Sequence, residues 1–227
     1  MPALAARVLS TLPVTSDQHA GDAAERLMAE DPYSSHSEQT IAQLHEIFRQ
    51  VTPQPTRIPL RMMIRNLGNS YMGQPALVAL PNGLVIINDE MVSHILHYGD
   101  RVDDRTGAAF AAFVAHEIGH LEGRHALHAL LNSSVMAFGS ALFSGDFTDV
   151  IAHQPELFWN MRYSSDMETA ASNYASARMK QLGWPAPSES LHASLAQYIP
   201  RDERNMPGWM ATQPSYLRSH PHSGFPP

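Results

Sequence analysis

Apolar residues recur at Ile41, Leu44, Ile47, Phe48 and Val51 between polar neighbours. That rhythm predicts an amphipathic helix from Ser37 to Val51, with a Ser/Glu opening. Thr52-Pro53-Gln54-Pro55 is a break, after which Ile58 to Ile64 reads as a strand and residues 66 to 75 as a Gly/Asn-rich loop. Two short apolar runs, Ala76 to Leu80 and Leu84 to Asn88, flank Pro81-Asn82-Gly83 and predict a hairpin. Asp89 to Tyr98 is expected to be helical.

A longer helix follows. Asp103-Asp104 supply an N-cap and an acidic first turn, and Gly107 is the one weak residue before a run of helix formers. Phe110, Val114, Ile118 and Leu121 fall at helical spacing and predict a buried stripe. His116 and His120 fall on a different face, with Phe113 one turn earlier. Gly119 and Gly123 each cost roughly 1 kcal/mol relative to alanine, which implies that another backbone packs closely there. Apolar patterning from Ala126 to Leu131 predicts that this helix runs on through Gly123.

Another helix is predicted over 155 to 182, opened by proline and closed by glycine. Tyr163, Met167, Ala170, Ala171, Tyr174 and Met179 outline its apolar face. The aromatic side chains of Phe113, Trp159 and Tyr163 read as core at this spacing. Residues 1 to 35 read as an N-terminal extension with one short helix around Asp22 to Ala29, and 36 to 199 as the main domain. Residues 200 to 227 are a tail carrying six of the 17 prolines, expected to wrap the surface as extended chain.

Composition narrows the class. With 227 residues, 44% of them hydrophobic, the chain can bury one substantial core. A net charge of −7 with 15 dispersed basic residues argues against a nucleic-acid surface. The absence of cysteine excludes a disulfide framework, a Cys₄ zinc site and a cysteine nucleophile. No apolar stretch approaches the roughly 20 residues of a membrane span. Arg7 interrupts any signal-peptide core. A soluble chain is expected, cytoplasmic or periplasmic.

The candidate chemistry lies in His116-Glu117-Ile118-Gly119-His120. Two imidazoles four residues apart on a helix can reach one Zn²⁺, leaving room for other ligands. Glu117 follows the first histidine directly, where a carboxylate can take a proton from water made acidic by the metal. With 13 His and 11 Glu in the chain, chance alone gives roughly 0.04 such HExxH strings.

The third ligand separates the classes that use this motif. One class extends it to HExxHxxGxxH. Here Gly123 fills the glycine position, but the final position is Ala126 and His125 comes one residue early. On a continuous helix His125 lies about half a turn round from His116, unable to share its metal. Glu168 is the better candidate. It sits among Thr169, Ala170 and Ala171, where a buried carboxylate is costly unless paired or metal-bound. Periodicity alone leaves open whether it faces a metal or faces solvent beside Asp166.

From about residue 57 to 190 the chain resembles the gluzincin peptidases related to HtpX and the CAAX prenyl endopeptidases. The landmarks come in order. They are the hairpin Ala79 to Asn88, the helix with His116-Glu117-Ile118-Gly119-His120 followed by Arg124-His125, the segment Tyr163 to Glu168, and Gln181-Leu182-Gly183-Trp184-Pro185. The resemblance implies an α+β, mainly helical zincin-like fold with a small β-sheet, its HExxH helix packed against a glutamate helix. It implies one Zn²⁺ per chain on His116, His120 and Glu168, with Glu117 as general base in peptide hydrolysis. Peptide or unfolded protein would be the substrate.

Two departures stand out. Ser172 occupies the position of the aspartate expected four residues after the glutamate ligand, removing a group that would orient a ligand. Arg218-Ser219-His220-Pro221 resembles a C-terminal segment of the family, without the arginine that follows it there. His220 is therefore a candidate catalytic group, polarising the substrate carbonyl, or a fourth ligand capping the open position. A latent peptidase or a zinc-binding adaptor is the alternative function.

Overall fold

A computed structural model describes residues 9–27, 33–66, 76–97, 99–133 and 163–185. The elements in chain order are α1 (Val14–Leu27), α2 (Glu38–Val51), β1 (Arg61–Arg65), β2 (Leu77–Ala79) and β3 (Leu84–Asn88). They continue as α3 (Asp89–Ile95), α4 (Asp104–Glu122), α5 (His125–Ser133) and α6 (Ser165–Gln181).

The three strands form one sheet in the order β1-β3-β2. β1 lies parallel to β3, with Arg61 opposite Leu84 and Arg65 opposite Asn88. β2 lies antiparallel to it, with Leu77 opposite Ile87 and Ala79 opposite Val85. Every residue of β3 is buried. Val85 and Ile87 join the core shared with α2, α3, α4 and α6, whereas Leu84 and Ile86 face α1 and α5 on the other side. That is why Leu84-Val85-Ile86-Ile87 shows no alternation: helices cover both faces of the strand.

α4 is the centre of the larger core. It opens with a capping box: the Asp103 carboxylate accepts from Thr106 N at 2.8 Å, and Thr106 Oγ1 accepts from Asp103 N at 2.9 Å. From Thr106 to Leu121 every residue is buried. The expected buried stripe of Phe110, Val114, Ile118 and Leu121 is present, and the burial extends beyond it to the other faces. A helix rich in alanine and apolar on all sides is one buried on all sides.

α6 packs along α4. At Gly119 a Cβ would stand 2.9 Å from Ala171 Cα and 3.0 Å from Ala171 O, so the glycine permits the close backbone approach that its presence implied. α6 is tied to the end of α2 as well. Arg178 donates from Nε to Val51 O at 2.7 Å, and from its NH2 nitrogen to the Gln50 and Thr52 carbonyls, satisfying carbonyls that a helix end leaves open.

Three expectations need revision. α1 begins at Val14, well before Asp22. It docks through Ala20, Ala23 and Ala24 against Leu80, Leu84 and Leu127. α6 begins only after Ser164, whose hydroxyl accepts from Met167 N, so Tyr163 precedes the helix; residues 155–162 lie outside those described. The third concerns Gly123. α4 ends at Glu122, and Arg124 takes a left-handed φ of 53° before a new helix starts at His125.

Candidate metal centre

His116 and His120 project from one face of α4 toward Glu168 on the first turn of α6. All three are at least 98% buried. The two Nε2 atoms are 3.0 Å apart. Glu168 Oε2 lies 3.3 Å from His116 Nε2, and Oε1 lies 3.7 Å from His120 Nε2. Among the described residues this is the one group of three such side chains whose ligand atoms all lie within 4.8 Å of one another.

The donor set fits a small divalent cation. Tetrahedral bonds of about 2.0–2.1 Å place neighbouring donors about 3.3 Å apart, close to the separations found. Two neutral imidazoles and one carboxylate, desolvated together, supply the mixed N/O ligands that zinc takes. Burying a carboxylate here without a cation carries a large desolvation penalty.

Each imidazole is also held at its other nitrogen. Nδ1 of His120 is 2.9 Å from Nδ1 of His125. Nδ1 of His116 is 3.5 Å from Ser172 Oγ. His125 is not among the three side chains grouped there, and its position has a different cause from the half-turn offset expected of a continuous helix. The chain turns sharply at Arg124, and the His125 ring folds back against the rear edge of His120. A left-handed φ on a residue other than glycine is unfavourable by roughly 1–2 kcal/mol. Gly123 makes room: a Cβ there would stand 2.2 Å from His125 Nε2. Its close neighbour is thus an imidazole, where another backbone was expected. Burial pushes the His125 imidazole down to about 4, helped by the nearby His116 and His128, so the ring is neutral.

Tyr163 completes the packing. Its ring stacks on His120 with centroids 4.0 Å apart and planes at 23°. Burial raises the phenol well above its ordinary value, and the charges of Glu117 and Glu168 raise it further; Tyr163 stays a neutral hydroxyl. Glu117 is itself buried. Phe113 is core, as expected. Ala170 is exposed, and Ser172 takes its place on the buried face of α6. His220 and Trp159 lie outside the described residues.

Sequence reasoning missed the ring of groups behind His116 and His120: His125, Tyr163, and the ionic contacts of Arg124. The Arg124-His125 pair was a visible signal, but the orientation of His125 depends on a backbone turn that periodicity does not encode.

No helix among the described residues is long and apolar enough to cross a membrane. No curated protein matches the chain at a significant level. A family model does, aligning with residues 38–224. That span holds both histidines of α4, the glutamate of α6 and His220. The chain belongs to peptidase family M48, and is thus a metallopeptidase, a hydrolase acting on peptide bonds.

Proposed function

We propose that the chain is a zinc-dependent endopeptidase in which His116, His120 and Glu168 hold one zinc ion and Glu117 is the general base. The convergence of three buried donors from α4 and α6 carries this reading. Zinc bound there would polarise a peptide carbonyl and bring the pKa of water toward neutrality. Glu117, next to His116 in a dry environment, takes a proton from the attacking water and returns it to the leaving amine. Tyr163 keeps the plane of His120 fixed from one side, and His125 from its rear edge.

β2 is an outer strand of the sheet, and Ala79 and Pro81 line the same small cavity as His120 and Tyr163. An extended peptide adding to the outer edge of β2 would run beside the metal centre. His220, inside the family match, is proposed to polarise the substrate carbonyl or to cap the open metal position.

Zinc content and cleavage of an unfolded protein such as casein test the reading. We expect one zinc per chain, lost in Glu168→Ala. Glu117→Gln should keep the zinc and lose at least a hundredfold in kcat, within the usual 10²–10⁴ contribution of a general base. Unchanged cleavage by Glu117→Gln with zinc in place would refute the mechanism. Ser172, which is weakly placed behind His116, favours a second reading: a latent or catalytically weak zinc protein. Activity appearing only in a chain that ends before His220 would select latency.

A further inference from the structure

Asp17 lies on α1, upstream of the family-matched region, and is 1% exposed. Its carboxylate accepts from Arg124 twice, from Nε at 3.2 Å and from the NH2 nitrogen at 2.6 Å. The NH1 nitrogen of Arg57 lies 3.4 Å from the same carboxylate. The guanidinium of Arg124 also donates to three carbonyls before α1: Leu9 at 2.9 Å, Leu12 at 3.0 Å and Pro13 at 3.4 Å. Arg57 meanwhile donates to Leu121 O at 2.7 Å, at the end of α4. Two arginines and one buried carboxylate thus bind the N-terminal segment to both sides of the turn after α4.

That turn has one outcome at the metal centre. Arg124, in its left-handed conformation, directs His125 back onto Nδ1 of His120. With Nε2 of His120 committed to a metal, Nδ1 carries the proton and donates it to Nδ1 of His125. Partners of this kind fix the tautomer and plane of a ligand. The backbone of Arg124 resists the conformation that this arrangement needs, and the guanidinium contacts oppose its relaxation.

We propose that Asp17 is a positioning residue for the metal centre, acting through Arg124 to hold the turn that seats His125 against His120. The proposal rests on the metal-site reading above. It makes a helix outside the family match part of the catalytic apparatus.

The test uses the full chain loaded with Co²⁺, whose visible absorption reports ligand geometry, and the rate of Co²⁺ loss to a chelator. Asp17→Asn removes the charge with little change of shape. Arg124→Gly relieves the left-handed backbone but deletes the latch. Gly123→Ala pushes the His125 ring away by steric contact and leaves the ionic contacts alone. All three are expected to alter the Co²⁺ bands and to lose the metal ten- to a hundredfold faster. Glu25→Gln, which loosens α1 at a different contact, should keep the wild-type spectrum and loss rate.

Should Asp17→Asn fail to fold, Arg124→Gly and Gly123→Ala decide the matter. Wild-type bands and loss rates in these variants, with or without a lower melting temperature, would reduce the latch to a structural contact and overturn the proposal. If the wild-type chain takes up no Co²⁺ or Zn²⁺ at all, the metal-site reading fails first and the proposal with it.

Discussion

The Ser172 hydroxyl stands 3.5 Å from Nδ1 of His116, at the outer limit of a hydrogen bond. The aspartate that the family resemblance places at this position would reach one bond further and bring a negative charge. His116 is thereby held less firmly than His120, whose Nδ1 meets His125 at 2.9 Å. The two candidate ligands of α4 thus differ in these contacts at their rear edges. Ser172→Asp should therefore tighten zinc binding by about tenfold, the lower end of the effect such groups exert. Ser172→Ala should change it little, because so long a contact contributes weakly. Competition with a chromophoric chelator measures both. Equal affinities for wild type and Ser172→Asp would mean that His116 needs no stronger partner.

Gly119 sets the distance between the helix of His116 and His120 and the helix of Glu168. A methyl there meets Ala171 Cα and O at 2.9 and 3.0 Å, and neither atom belongs to a flexible side chain. Gly119→Ala should gain helix propensity yet lose about 1–3 kcal/mol of stability through overpacking. Zinc affinity should fall as well, since separating α4 from α6 moves Glu168 away from the histidines. Denaturant unfolding of the metal-free chain isolates the first effect, and chelator competition the second. A Gly119→Ala chain more stable than wild type would show that α6 can shift at no cost.

How much of this was readable from residues alone follows from what each element depends on. α2 was legible because Ser37 caps it and large side chains mark its buried face. The hairpin was legible from Pro81-Asn82-Gly83 between apolar runs, and the shared face of His116 and His120 from their spacing. α1 was read as short because its buried contacts are made by Ala20, Ala23 and Ala24, which barely register as an apolar stripe. The end of α4 was misread for a different reason. The left-handed φ falls on Arg124, while Gly123 keeps right-handed helical angles and serves the His125 ring. Contacts from Leu9, Leu12 and Asp17, more than a hundred residues away in sequence, hold that turn. No local pattern carries such information.

Glu25 gives the docking of α1 a pH dependence. Hydrogen bonding from Arg61 comes first in lowering its carboxyl below the ordinary value; burial opposes this, and Asn82 adds to it. A carboxyl with a lower pKa in the folded state stabilises the protein above its unfolded pKa, near 4.3. That stability disappears as the pH falls through the folded value. Glu25→Gln should melt below wild type at pH 7, by no more than about 1 kcal/mol because the pair is partly exposed and screened. The gap should close as the pH drops below about 4, and shrink with added salt. A constant difference from pH 7 to pH 3 would assign the effect to shape rather than charge.

Metal removal and ligand removal should act on stability in opposite directions. Zinc held by donors from both α4 and α6 would favour the folded chain by RT ln(1 + [Zn]/Kd), about 2.7 kcal/mol at a hundredfold excess over Kd. Without the ion, the fold retains a fully buried carboxylate facing two imidazoles, an arrangement often no better than apolar packing of similar volume. Glu168→Met should therefore leave the metal-free chain at least as stable as the metal-free wild type, and abolish the rise in melting temperature on adding zinc. The order of the two proteins then inverts: wild type melts higher with zinc, and the variant equals or exceeds it with a chelator. Were Glu168→Met markedly less stable in chelator, the carboxylate would be holding α6 against α4 through its histidine contacts alone. A zinc-dependent rise surviving in Glu168→Met would place the third ligand elsewhere in the chain.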